Sequence, residues 1–235
     1  MTTTRFPNGV TNVGEDSMFA DMGQLVPVKY HTYMNDFDTY DPVEWNEQKS
    51  IGASVGLSGV DGGWLSMYLP SGGFNSAVIN LQPAFSPPYG GVNPSTGVLD
   101  DGSLYFETLI SCGTLGPQIK IGAAAPNFSD GCWFQREENA PAFTLRILPN
   151  GGSEIITPIP EAVISGPYGG RIKLGFVAER GGPIVKIFVN GNFVGFANGG
   201  SSFSTSSAVA ASALFFSSTF GGTMAIDYML LAKER

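Results

Sequence analysis

Charge is the first thing this 235-residue sequence is short of: Asp, Glu, Lys and Arg make up 14% of it, against about 25% in an average domain. The surface must therefore be built largely from Gly, Ser, Thr, Asn and Pro, which lose little side-chain entropy when ordered against a partner. That suits an assembly subunit and equally an ordinary loop-rich β protein. The charge present sums to −8, so a polyanion would be repelled, and nucleic acid and anionic membrane are poor partners. Cysteine is scarce too. Cys112 and Cys132 are too few for a secreted disulfide framework. Each lies in or beside a predicted strand, where a free Cys packs as a small buried hydrophobe. No apolar segment follows Met1-Thr2-Thr3-Thr4-Arg5, so no signal peptide is predicted and folding in a cytoplasm is expected. The longest largely apolar run, Ala208 to Phe216, is far short of a membrane span.

Catalytic equipment is equally thin. The only histidine, His31, rules out a multi-His metal site and is the one residue a Ser-His-Asp triad could use. Set between Tyr30 and Tyr33, it is expected to pack or hydrogen-bond. The pattern Gly52-Ala53-Ser54-Val55-Gly56 matches a nucleophile elbow in letters only, since no helix follows and His31 precedes Ser54. Gly-Lys and Gly-x-Gly are both missing despite 32 glycines, which excludes the two common phosphate-binding loops. A retaining glycosidase needs two carboxyls about 5–5.5 Å apart. The strand around Glu107 offers Leu109 and Ser111 at the same-face positions where a partner would stand. Glu137 and Glu138 are adjacent and are expected to diverge. Asp36, Asp38 and Asp41 resemble an oxygen-rich cation loop, but Tyr40 and Asp41 break the calcium-loop pattern. Phe37 is expected to pack inward with Asp36 and Asp38 outside. Asn127-Phe128-Ser129 fits a glycosylation acceptor that a cytoplasmic chain would not use. No catalytic residue, cofactor or metal is expected.

What the sequence does contain is strand. Short apolar runs bounded by Gly, Pro, Asn or Asp recur throughout, and no segment holds a helical period for three turns. The predicted strands are Ile51–Leu57, Trp64–Leu69, Ala77–Leu81, Leu104–Ser111, Gln118–Ala123, Cys132–Arg136 and Phe143–Leu148. They continue with Arg171–Glu179, Ile184–Val189, Phe193–Ala197, Ala213–Ser217 and Met224–Ala232. Many short strands at this spacing imply a two-sheet antiparallel sandwich. The sharpest local signal is Asn190-Gly191 between two β-rich runs, as a type I′ turn requires. It predicts Ile187 opposite Val194, Val185 opposite Phe196 and Phe188 opposite Phe193. Gly199 to Ser212 is predicted to be a small-residue loop.

Residues 1–28 show no sustained period and carry Pro7, Gly9, Gly14, Gly23 and Pro27, which predicts an extended arm ahead of a domain spanning 29–235. The arm contains Phe6, Val10, Val13, Phe19, Leu25 and Val26. An idle disordered tail would tend to lack such groups, so these six are the candidate partner contacts.

RIKLGFVAE followed by IVKIFVNGNFVGF, with AIDYMLLAKER as a last strand, resembles the concanavalin A-like (laminin G-like) jelly rolls. RFPNGVTNV, KYHTYMNDFDTYDPVEW, DGCWFQRE and DYMLLAKER together resemble a family of tailed-phage virion proteins common in marine and cyanobacterial podoviruses. The resemblance implies a homo-oligomeric virion protein that decorates or cements the capsid by contacts with the major capsid protein or sister subunits. A carbohydrate- or receptor-binding module of a head or tail appendage is the alternative, and a glycan-active enzyme a minor one. A surface-glycan site would need exposed aromatics with convergent polar groups, for which Trp64, Tyr68, Trp133 and Phe134 are the candidates beside their ordinary role as core.

Overall fold

The computed structural model describes residues 30–58, 63–81, 102–148, 153–164, 170–178, 184–198 and 209–234. The candidate arm contacts Phe6, Val10, Val13, Phe19, Leu25 and Val26 lie outside the described residues. The first half carries β1 (Tyr30–Asn35), β2 (Gln48–Lys49), β3 (Ser54–Ser58), β4 (Trp64–Leu69), β5 (Asn75–Asn80), β6 (Leu104–Cys112) and β7 (Gln118–Ala124). The second carries β8 (Gly131–Arg136), β9 (Ala142–Leu148), β10 (Ile155–Val163), β11 (Gly170–Ala178), β12 (Ile184–Val189), β13 (Asn192–Asn198), β14 (Ala210–Ser217) and β15 (Gly222–Glu234). Among the described residues the helical content is one 3-10 turn, Pro126–Phe128, which holds Asn127 and Phe128 of the glycosylation-like pattern, with Ser129 as its C-cap.

The strands form two antiparallel sheets packed as a jelly-roll sandwich. One sheet has eight strands in the order β13-β12-β11-β6-β15-β4-β3, with β1 also on β15; the other has seven, β10-β9-β8-β7-β14-β5-β2. The 13-residue β15 organises the first sheet. One edge pairs with β6, while the other pairs first with β4 and then, from Met229 to Glu234, with β1. Strand alternation sends one side chain of each pair inward. Phe106, Ile110, Leu174, Phe176, Met229 and Leu231 from the first sheet meet Ile121, Phe134, Phe143, Leu145 and Phe215 from the second, all fully buried or nearly so. Cys112 and Cys132 are free and buried there. Burial pushes both thiols up, Cys132 well above its ordinary value.

Gly122 is required by close approach. A Cβ there would run into the Cys132 carbonyl and sit 2.5 Å from Trp133 Cα and 2.7 Å from its Cβ. Gly122→Ala is therefore expected to cost about 1–3 kcal/mol, read as a lower midpoint in urea denaturation.

Several expectations need correction. The hairpin turn is as predicted, with Asn190 at φ 51 and Gly191 at φ 83, and Phe188 faces Phe193 as predicted, but the register beyond that pair differs. Ile187 faces Gly195 and Val185 faces Ala197, because a β-bulge intervenes before Phe188 meets Phe193. The extra residue turns Phe196 outward, opposite Lys186, and leaves it exposed. The strand predicted from Ile51 starts at Ser54, since Gly52 at φ 84 makes a turn that leaves Ile51 fully out in solvent. The small-residue loop ends three residues early, as Ala210, Ala211 and Ser212 already pair with β7. Three strands escaped prediction: β1, the two-residue β2, and β10, whose Pro158 and Pro160 fit only an edge position. His31 stands on β1 opposite Lys233.

Candidate functional site

The outer face of the eight-stranded sheet is unlike an ordinary solvated surface. On β6 the outward residues are Tyr105, Glu107, Leu109 and Ser111, and on β11 they are Arg171, Lys173, Gly175 and Val177. One row across the sheet reads Phe193, Phe188, Gly175, Glu107, Leu230 and Met34. Tyr105, Val177, Leu230 and Ala232 form a buried apolar cluster on this face, with Phe188 and Tyr228 against it. At the free edge Phe193 lies 4.8 Å, centroid to centroid, from Phe196 and 5.8 Å from Phe188.

Glu107 sits in the middle of this apolar ground with only 5% of its surface exposed. Tyr228 Oη donates to Glu107 Oε1 at 2.5 Å, and Lys173 Nζ stands 4.0 Å from the same oxygen. Burial pushes the Glu107 carboxyl above the usual range, against the opposing pull of the Tyr228 bond and the Lys173 charge. Burial and the Glu107 carboxylate together push the Tyr228 phenol up. The phenol thus stays neutral, its one proton committed to Glu107 and its oxygen left to accept from a ligand.

A second group lies across the same face. The Arg171 guanidinium stands 4.8 Å over the Trp64 ring. The small Ser111 and Ala225, which continue the Arg171 row through β6 and β15, leave its path open. Asp227, in the register shift of β15, is pushed up by burial and by Asp36, with Arg171 opposing. Trp64 is half-buried, while Tyr68 and Arg171 are exposed.

A carboxyl whose folded pKa is raised binds its proton more readily in the folded state. Its contribution is full below the unfolded value and is lost as pH rises through the folded one. Glu107→Gln is accordingly expected to raise the melting temperature at neutral pH and to flatten its decline above the acidic range. A lower melting temperature at pH 7 would contradict this reading of the site.

Of the four aromatics singled out as sugar-site candidates, the structure brings Trp64 and Tyr68 to this face. Phe134 is core. Trp133 faces out from the seven-stranded sheet but is covered, edge-on to Phe128 at 5.4 Å, beneath Lys120, and bonded through Nε1 to Gln135 Oε1 at 3.1 Å. Gln135 passes the network to Glu137, which also accepts from Gln118 and Arg146. Glu138 points elsewhere, to the Ser217-Ser218-Thr219 turn. Tyr228 and Arg171 were missed as site residues. Alternation in RIKLGFVAE put Lys173 outward and could have placed Arg171 beside it, but the β15 irregularity hid Tyr228.

The aspartate segment is a turn rather than a strand edge. Asn35 Oδ1 accepts from Phe37 N at 2.7 Å, and Phe37, at φ 54, drops its ring into the core 5.4 Å from Trp45. Phe37 packs inward as expected. Asp36 and Asp41 serve as local backbone acceptors for Asp38 N and Val43 N.

No protein-family model and no curated protein sequence matches the chain. Solved structures do resemble it in fold. The binding domain of botulinum neurotoxin DC in complex with rat synaptotagmin II superposes with a TM-score of 0.52 at 9% identity, over 80% of this chain and 43% of that one. The same domain in complex with SialylT gives 0.51 at 10% identity, over 80% and 42%. A sialidase gives 0.54 at 12% identity, over 85% of this chain and 18% of the enzyme. The chain thus spans less than half the length of the structures it resembles. At these identities the likeness is one of architecture: an antiparallel β-sandwich of the jelly-roll kind.

Proposed function

We propose that the chain is a non-enzymatic carbohydrate- or receptor-binding module of a virion head or tail appendage, with the outer face of the eight-stranded sheet as its contact surface. The carrying observation is the buried Glu107, kept on an outward face where it orients Tyr228 and Lys173. Trp64, Tyr68 and Arg171 flank it. Flat rings beside the Arg171 and Lys173 donors and the Tyr228 acceptor match what a saccharide presents, apolar C–H faces and hydroxyls. Ligand contact falls to Trp64, Tyr68, Arg171, Lys173 and Tyr228, and Glu107 is a positioning residue. Binding is favoured over hydrolysis because Leu109 and Ser111 occupy the same-face positions beside Glu107, and Asp227 responds to Arg171 and Asp36 instead. The likeness to sandwich binding domains agrees with this reading. The virion setting rests on the terminal sequence blocks.

The test is titration of the full chain against a glycan panel, followed by Trp64→Ala and Arg171→Ala against the best ligand. Each variant is expected to weaken binding about tenfold or more, about 1.4 kcal/mol, with no product released by the native chain. If no panel member binds while the chain still sediments with capsids, the module is a capsid-decorating protein instead. Turnover abolished by Glu107→Gln would make it an enzyme.

A further inference from the structure

Four connections cross between the sheets at one end of the sandwich: residues 50–53, 70–74, 113–117 and 218–221. Each carries one large apolar side chain in solvent, Ile51 at 99% exposure, Phe74 at 81%, Leu115 at 57% and Phe220 at 40%. The loops are braced together. Ser50 N donates to Ser76 O at 2.9 Å, Gly72 N to Thr219 O at 3.3 Å, and Asn139 N to Gly116 O at 2.8 Å. Asn75 Nδ2 donates to the carbonyls of Pro70, Gly72 and Gly73. The buried Arg136 guanidinium holds the carbonyls of Gly113 and Pro117. Four exposed apolar tips on cross-linked turns are presented with little ordering entropy left to lose on contact.

None of the four loops contains a charged residue. Two neighbouring acids come from the β8–β9 turn: Glu137 is paired with Arg146, and Glu138, held by Ser217, Ser218 and Thr219, keeps its charge beside the loops. In a chain of net charge −8, like copies repel wherever charge faces charge. The four loop tips themselves offer ground where two copies can meet with no charge facing charge, leaving the Glu138 carboxylate at the rim. We propose that the loop end is a self-association surface whose occupant is the same end of a second copy of this chain. The exposed parts of the four side chains sum to on the order of 500 Å², enough for the centre of a standard interface of about 800 Å² per partner.

Sedimentation analysis of the full chain across a concentration series up to about 100 µM tests this. Concentration-dependent association is expected, at least as strong at high salt, because the contact is apolar and salt screens the repulsion between like-charged copies. A variant carrying Ile51→Ser, Phe74→Ser, Leu115→Ser and Phe220→Ser should stay monomeric with an unchanged β-sheet spectrum. Phe74→Glu alone, which places like charges across the contact, should weaken association about tenfold or more. A native chain that stays monomeric overturns the proposal, as does a fourfold variant that associates like the native chain. A monomer that floats with phosphatidylcholine vesicles would assign the surface to lipid instead.

Discussion

Phe176→Ala is expected to lower the unfolding free energy by about 3–5 kcal/mol. Phe176 lies 5.5 Å from Phe106 within its own sheet and 6.0 Å from Phe134 in the opposite one. It is fully buried, so its ring is the bridge on which the two layers meet. Truncation removes that bridge and leaves a cavity that rigid sheets on either side close poorly. At this chain length each kcal/mol moves the melting temperature by about 2–4 °C. Urea denaturation at constant slope measures the loss directly. A change under about 1 kcal/mol would mean the sheets do not pack through this ring. Because β11 also carries Arg171 and Lys173 on its outer side, the same variant is expected to weaken ligand binding without touching the ligand.

Trp45→Ala should cost a similar amount, about 3–5 kcal/mol, for a different reason. Trp45 is fully buried, 5.4 Å from Phe37 and edge-on to Tyr33 at 6.1 Å. It closes the turn of residues 36–45 onto β1, where Tyr33 Oη also donates to Glu44 at 2.9 Å. Its indole nitrogen finds no hydrogen-bond partner among the described residues, and a buried polar group left unpaired costs about 1–3 kcal/mol. Trp45→Phe removes that penalty along with some packing and is expected to lose far less than the alanine variant. Equal losses would place the stabilisation in the indole N–H rather than in the rings. A chelator should leave the melting temperature of the native chain unchanged, since aromatic packing holds this turn.

How legible the fold was depended on what each segment buries. Trp64–Leu69 and Ile184–Val189 were predicted to the residue because each alternates cleanly between a core face and an outer one. β10 was hidden by prolines that an edge strand tolerates and a central one does not. β1 was hidden because YHTYMN has polar residues where a strand would show its apolar face, and its inward Tyr33 looks polar in sequence. The hairpin register failed on one extra residue, which no alternation rule registers. The candidate site was legible only in pieces. Glu107, Trp64 and Tyr68 drew attention individually, yet Glu107 meets Tyr228 across 121 positions of sequence. The four apolar loop tips were invisible for the same reason: nothing local says that four separate turns close one end of the sandwich.

Glu138 offers an independent check on that end. The bond from Ser217 Oγ, with further donors from Ser218 and Thr219, holds its carboxyl below the usual range. A depressed carboxyl stabilises the fold above its unfolded pKa, and that contribution disappears as pH falls through the lower folded value. Glu138→Gln should therefore match the native chain in strong acid and fall below it at neutral pH, by less than about 1 kcal/mol because solvent screens the carboxylate. Melting curves at the two pH values measure the difference.

The central claim is that the outer face of the eight-stranded sheet is where a ligand sits, and intrinsic fluorescence tests it most directly. The chain has three tryptophans. Trp45 and Trp133 are buried, and Trp64 alone lies partly open, on the proposed face. Titrating the best panel glycan into the native chain while following acrylamide quenching should show Trp64 becoming protected as the ligand saturates. The protection should vanish in Trp64→Phe while the fold is retained. Saturable binding that leaves Trp64 quenching unchanged would put the ligand elsewhere and contradict the account.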